Sequence, residues 1–272
     1  MNGFNLEKEK LAQDGTEWKF AGALKCLAEI PENERTFYLP LGEVQRTMYG
    51  DLADCASRGP INIAEAKFNY LIKKQLLTLD DELWLRENGY FDDGIKFSDA
   101  FVAILSGTTR EGNSMKAPLD AIRKNGLIPK KFLPIEQDMT FEDYHDPARI
   151  TGKMKALGQE FLNRFAINYE KVYENDFERL LHKDLLNVAG YAWPTPVGGE
   201  YPRVPNDPNH VFVAYKTPKY FIFDNYLDSV DGDFTKKLSP EYDLMDYGYR
   251  LLINKAIKKE CFIIKYLKVL WS

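Results

Sequence analysis

Cysteine is scarce in this chain: three residues in 272, at positions 26, 55 and 261, an odd number at wide spacing with no C-x-x-C pair. That argues against a disulfide framework and against a cysteine-built zinc site. Long apolar runs are missing as well. No stretch reaches the roughly 18 apolar residues of a membrane span, and "MNGFNLEKEKLAQDGTEWKF" carries charge where a secretory leader needs an unbroken apolar region. A signal peptide and membrane contact are therefore not expected, which points to the cytoplasm or to a particle assembled there. Nor is charge of one sign concentrated. The net charge is −5 and Lys and Arg are scattered, so no basic stripe is available to track phosphates and nucleic acid is not expected as a partner. Repeats and low-complexity linkers are absent, which favours one continuous domain with appendages.

What is present suits a globular enzyme-sized chain. A hydrophobic fraction of 44%, with 14% aromatic and 28% charged residues, supplies a sizeable core without staples. Residues 1–40 read as a polar N-terminal arm holding one short helical candidate, "EWKFAGALKCLAEI", ended by Pro31. Cys26 lies there as a small packed hydrophobe. From Ile61 the positions Ile61, Ala64, Phe68, Leu71 and Ile72 recur at helical spacing and mark one buried stripe of a central helix. Further helices are predicted in "DDELWLRENG", closed by Gly89, in "FSDAFVAIL" with Ser98 as its cap, in "KAPLDAIRKNGLIP", in "ARITGKMKALGQEFLNRF" and in "NDFERLLHKDLL". After about Leu186 the pattern changes to short β-branched and aromatic runs, "NVAGYAW", "HVFVAYK", "KYFIFDNY" and "YGYRLLI". Helices followed by strands predict an α+β fold, a helical half against an antiparallel β half with a cleft between them. The segment 254–272 is an apolar, lysine-bearing tail suited to packing or partner contact.

The stretch "YGDLADCASRGPINIAEAKFNYLIKK" places Cys55 at the start of the central helix. There the helix dipole stabilises a thiolate. Gly59-Pro60 leaves two possibilities, a helix with a distorted first turn or a regular helix that begins at Pro60. His210 opens the strand "HVFVAY", joined through "KTPK" to "YFIF", which ends in "DNY". In such a hairpin His210 lies beside Asp224 or Asn225, depending on register. A cysteine at a helix start, a histidine on a strand and an Asp or Asn beside it make a relay for nucleophilic catalysis.

In these residues the chain resembles a papain-like cysteine peptidase, of the divergent sort found in phage and viral genomes. His210 follows Cys55 by 210 − 55 = 155 residues, near the family's roughly 130–150. "GNSMKAPLDAIRKNGLIPKKFLPIE" is similar to the family's Gly-rich turn and short helix. "NHVFVAY" resembles the histidine strand and "FDNY" its N-S-W stretch. The resemblance covers roughly Leu39 to Ile253. It implies a catalytic domain over 41–253 that cuts peptide or amide bonds without metal or cofactor, through Cys55 as nucleophile, His210 as acid and base, and Asp224 as orienting group, with Tyr226 as aromatic shield. It further implies Gln45 as oxyanion donor, provided "RTMYG" loops out, and Gly112 and Asn113 as substrate-binding residues; in "GYAWPTP", Trp193 and the prolines read either as an apolar, substrate-binding cleft wall or as ordinary packing. Ala56 stands where the family has an aromatic residue, and Tyr49 where its glutamine usually lies. These departures motivate a second reading, an inactive papain-like module in a larger assembly such as a virion. Amidases that use the same relay are a third. The remaining candidates read as structural: His145 and His182 as surface or helix-face residues, "DSVDGD" (228–233) as a solvated turn, and Gly198-Gly199 as a loop.

Overall fold

The computed structural model describes residues 3–15, 17–22, 24–217, 220–225 and 234–256. Tyr226, the "DSVDGD" turn, Cys261 and nearly all of the tail lie outside the described residues. The chain begins with a short helix, Leu6–Ala12 (α1), and touches the sheet at Trp18–Lys19 (β1). The long helix Cys55–Lys73 (α2) follows, then Leu79–Glu87 (α3), Asp99–Leu105 (α4), Lys116–Asn125 (α5), Phe141–His145 (α6) and Gly152–Arg164 (α7). The second half contributes strands Phe165–Tyr173 (β2), Leu186–Gly190 (β3), His210–Lys216 (β4), Phe221–Phe223 (β5), Thr235–Lys237 (β6) and Leu244–Lys255 (β7), with the helix Phe177–Leu181 (α8) between β2 and β3. The sheet order is β1-β2-β7-β3-β4-β5-β6. Every pairing is antiparallel except the edge pair β1/β2. This is the α+β arrangement that the order of the sequence patterns predicts.

Helix α2 is the axis of the molecule and packs across β4. It begins at Cys55 and carries Pro60 inside it, so of the two starts left open by Gly59-Pro60 the earlier one holds, at the cost of one backbone bond that Pro60 cannot donate. Gly59 serves a close approach: a Cβ there would overlap Asn187 Oδ1 on β3. Residues 55–68 are all buried, a wider burial than one apolar stripe predicts. The reason is that its charged positions meet buried partners. Lys67 Nζ lies 2.6 Å from Asp184 Oδ1, and Arg250 on β7 joins the same carboxylate at 2.8 Å and Glu170 on β2 at 3.1 Å. These bonds tie the helix to the sheet.

Two segments depart from their sequence patterns. "EWKFAGALKCLAEI" forms no helix among its described residues. Trp18 and Lys19 pair with β2, Phe20 N–H bonds Lys171 C=O at 2.8 Å, and Gly22 turns the chain with φ +75°. The free edge of β2 outweighs local helix propensity. "FAINYEKVY", by contrast, is a nine-residue strand next to the sheet edge that directly continues a helix, without turn residues to announce it. The first 40 residues pack into the main core, where Phe4, Ala28, Ile30 and Tyr38 share one cluster with Ile61, Phe68 and Phe161. Among the described residues no helix is long and apolar enough to cross a membrane.

Phe161 of α7 anchors the helical half. It is fully buried and within 6.5 Å, centroid to centroid, of Phe68, Trp84, Tyr90, Phe97 and Phe165. Replacing it by alanine is expected to remove about 3–5 kcal/mol of stability, read as a lower urea midpoint with an unchanged slope.

Candidate active site

Three local devices bring the sulfur to its place. Asp51 Oδ1 accepts the Ala53 N–H at 2.7 Å, which holds Ala53 in the left-handed turn (φ +52°) that leads into α2. Asp54 C=O then accepts from Ser57 and Arg58 N–H at 2.9 and 3.1 Å, closing the first turn. The Asp54 carboxylate is taken by Arg58 Nε at 2.8 Å and by the Tyr144 hydroxyl at 2.6 Å. Cys55 is thereby fixed at the first position of the helix, 1% exposed, facing β4.

His210 opens β4 and is fully buried. Its Nε2 lies 2.7 Å from Asp224 Oδ1. A carboxylate accepts only, so Nε2–H donates, and the other ring nitrogen is left for the Cys55 side, near enough for the sulfur and the imidazole to act on each other's titration. The ladder of β4 and β5 pairs Val213 with Phe223 and Ala214 with Ile222, with a bulge before Lys216. Continued outward, that register sets Asp224 opposite Phe212, two residues from His210 on the same face. The contact is thus diagonal, where the hairpin argument places the two side by side; i, j±2 neighbours on one face are within reach of long side chains. Asn225 points elsewhere, and its Oδ1 accepts Asn62 Nδ2 of α2 at 3.0 Å.

The second carboxylate oxygen is also engaged. Trp193, in the chain between β3 and β4, donates its indole N–H to Asp224 Oδ2 at 2.8 Å, and its ring stands edge-on to His210 with centroids 6.0 Å apart. Sequence reasoning placed Trp193 on the cleft wall. An aromatic residue on an irregular segment gives no pattern that would connect it with Asp224.

Burial is the main influence on the thiol. It pushes the Cys55 pKa up, against His210 and the Val211 N–H, which pull it down, while the charge of Asp51 adds to the rise. Burial alone would lower His210, but Asp224 and Cys55 outweigh it and hold the imidazole well above its ordinary range.

Gln45 is buried, and its backbone N–H bonds Asn225 C=O at 3.2 Å. "RTMYG" does loop out, as the short hairpin of Arg46–Thr47 with Gly50–Asp51, and Leu52 N–H returns to Gln45 C=O at 3.1 Å. The Gln45 amide, however, donates to Asp51 Oδ1 at 3.3 Å. Gly112 turns with φ +84°, and Asn113 is buried with its amide on Ser106 and Thr108.

The groove in front of these residues holds the chain's own beginning. Asn113 N–H bonds Gly3 C=O at 3.2 Å, Asn5 N–H bonds Asn113 C=O at 2.9 Å, and Phe4 N–H bonds Asn209 C=O at 3.3 Å. Gly3 lies so close to the sulfur that a Cβ there would overlap Cys55 Sγ. Helix α1 anchors this segment through buried Glu9, which accepts from Met115 N–H at the start of α5 and from the hydroxyls of Tyr247 and Tyr249. His145 is half-buried, with Nε2 donating to Leu52 C=O at 2.8 Å. His182 is exposed beside Glu32.

No protein-family model and no curated protein matches the sequence. Solved structures do match. Xylellain, a cysteine protease from Xylella fastidiosa, is 14% identical with a TM-score of 0.51, over 93% of this chain and 96% of that one. Procathepsin B S9 from Trypanosoma congolense is 12% identical with a TM-score of 0.53, over 93% and 86%. The ragweed pollen cysteine protease Amb a 11 in its proform is 12% identical with a TM-score of 0.52, over 93% and 76%. The chain has the fold of the papain-like cysteine proteases.

The raised pKa of His210 sets a sign for stability. Its contribution is fully present below the unfolded imidazole value of about 6.5 and is lost as pH rises through the native value. The melting-temperature difference between the wild-type chain and His210→Gln is therefore expected to shrink steadily on the alkaline side of pH 6.5, followed by calorimetry across buffers.

Proposed function

We propose that the chain is a papain-like thiol hydrolase that cuts peptide bonds, with Cys55 as nucleophile, His210 as general acid and base, and Asp224 as the group that orients the imidazole. One observation carries the reading: Cys55, His210 and Asp224 adjoin in a groove whose walls already hold an extended peptide, residues 3–5, by backbone hydrogen bonds to Asn113 and Asn209. A groove that grips peptide backbone beside a thiol–imidazole pair suits an amide substrate. Gly112 and Asn113 are substrate-side residues in this reading, and the Cys55 N–H and Gln45 amide supply the oxyanion contacts once Gln45 leaves Asp51.

The form described here is latent. Gly3 covers the sulfur, and its carbonyl oxygen is held by Asn113 N–H and not by the Cys55 N–H or the Gln45 amide assigned to the oxyanion. Withdrawal of residues 3–5 opens the site. The burial of Cys55 and its raised pKa also favour a second reading, a catalytically silent module within a larger assembly, and a phage or virion setting belongs with the divergent sequence motifs that suggest it.

A peptidyl epoxide separates the two. Gly3→Leu and Phe4→Asp, which expel the segment by overlap and by burying a charge, are expected to label at Cys55 at least about tenfold faster than the wild-type chain, since segment docking worth 1.4 kcal/mol already hides the thiol tenfold. Mass spectrometry of the adduct reads the result. No label in either variant, with the fold intact by circular dichroism, sinks the hydrolase and leaves the silent module.

A further inference from the structure

We propose that Trp193 is a positioning residue of the relay, and that its indole N–H is the reason the third member is an aspartate: Asp224 must accept from two donors at once. This rests on the reading of Cys55, His210 and Asp224 as a relay. His210 Nε2–H reaches Oδ1 at 2.7 Å and Trp193 Nε1–H reaches Oδ2 at 2.8 Å. Both are donors, and only an ionised carboxylate offers an acceptor to each. The pair is buried, Asp224 at 2% and His210 at 0% exposure, so a mismatch is not repaired by solvent.

Trp193 is held for this task. Its ring packs on Tyr201 at 5.2 Å and Phe212 at 5.1 Å, and Lys236 Nζ lies 5.8 Å from its centroid. Ala192 N–H bonds the Asn209 side chain at 2.9 Å, and Asn209 N–H bonds Gly190 C=O at 3.0 Å. The indole is thus referred to the same strand that carries His210. Asp224 itself is fixed by its N–H to Phe234 C=O at 2.8 Å. Two donors on a fixed carboxylate leave its plane no freedom to turn, and the imidazole is aimed by that plane.

An asparagine at 224 fails for a definite reason. If its oxygen faces the indole, its NH2 faces Nε2, and the imidazole must then carry its proton on Nδ1, toward Cys55, where it no longer takes the proton of the thiol. If its oxygen faces Nε2, the NH2 and the indole N–H oppose each other. Removing the indole N–H releases this conflict, because the amide then turns its oxygen to Nε2–H at no cost.

The test is a double-mutant cycle of Asp224→Asn and Trp193→Phe on the full chain. It is read by the titration of His210, one of three histidines, in heteronuclear NMR, and by the iodoacetamide rate of Cys55 against pH. Asp224→Asn alone is expected to lower the rate at pH 7 by about tenfold or more and to shift the His210 titration to lower pH. Trp193→Phe alone costs a few-fold, and the double variant recovers to within about threefold of Trp193→Phe, a coupling well outside additivity. If Trp193→Phe does not fold, 3-benzothienylalanine at 193 removes the N–H and keeps the ring. Losses that multiply in the double variant, or an Asp224→Asn protein with wild-type titration and rate, overturn the proposal. A wild-type thiol whose rate ignores His210→Ala overturns the relay instead, and the His210 titrations of the cycle still decide the role of Trp193.

Discussion

The hydrogen bond between His210 and Asp224 constrains everything near it, because neither group has water to fall back on. A buried carboxylate costs several kcal/mol unless charge and hydrogen bonds offset it, and here the offset comes from two donors on two different segments. His210 is supplied by the first residue of β4, Asp224 by the residue after β5, and Trp193 by the irregular chain before β4. The sheet register must bring all three to one face. The diagonal placement of Asp224 does this with no distortion beyond the bulge before Lys216.

A second buried charge system stands under the sulfur. Asp54 immediately precedes Cys55, and an uncompensated carboxylate there would work against any thiolate. Arg58 and Tyr144 take both of its oxygens, and Arg58 reaches Glu43 C=O at 3.2 Å and lies 3.6 Å from Asp99. Burial pushes Asp99 up to about 8, so near neutral pH the cluster favours one carboxylate for its one guanidinium. Arg58 thus offsets the Asp54 carboxylate at the start of α2, and the charge that still opposes a thiolate at Cys55 is that of Asp51.

How much of this was legible follows from which interactions leave a pattern. The helix cap at Ser98 and the stop at Gly89 are local, so their signals sit within a few residues of the event. The meeting of Cys55, His210 and an Asx side chain was legible because a lone cysteine before a helix and a lone histidine on a strand are scarce residues in distinctive places. Strand pattern alone left Asp224 and Asn225 open, since a one-residue change of register exchanges the two faces and the bulge lies in the structure alone; the preference for Asp224 came from the resemblance of "FDNY". Lys67, Arg58 and Glu65 fall outside the apolar stripe read from the sequence, and their partners Asp184, Asp99 and Lys96 are far away in sequence. The strand Phe165–Tyr173 was hidden because it grows directly out of α7. The N-terminal arm looked polar because Glu9, its deepest anchor, is charged.

The cover and the chemistry of this site act through the same variable. Gly3 packs against the Cys55 sulfur, and burial is the leading cause of the raised thiol pKa. In the proposed reading the segment therefore blocks the site twice, by occupying the path of a substrate and by keeping the sulfur protonated. The two effects are not independent. When the segment leaves, the desolvation of the sulfur falls while the His210 and Val211 N–H contacts persist, so the balance moves toward the ion pair in the same step that opens the groove. A plug that only filled space would leave a charged nucleophile beneath it, ready for any small electrophile that slipped past. In the proposed reading this one leaves a thiol, held under the hydrogen bonds of Gly3 and Asn5 to Asn113 and under Glu9 at the start of α5.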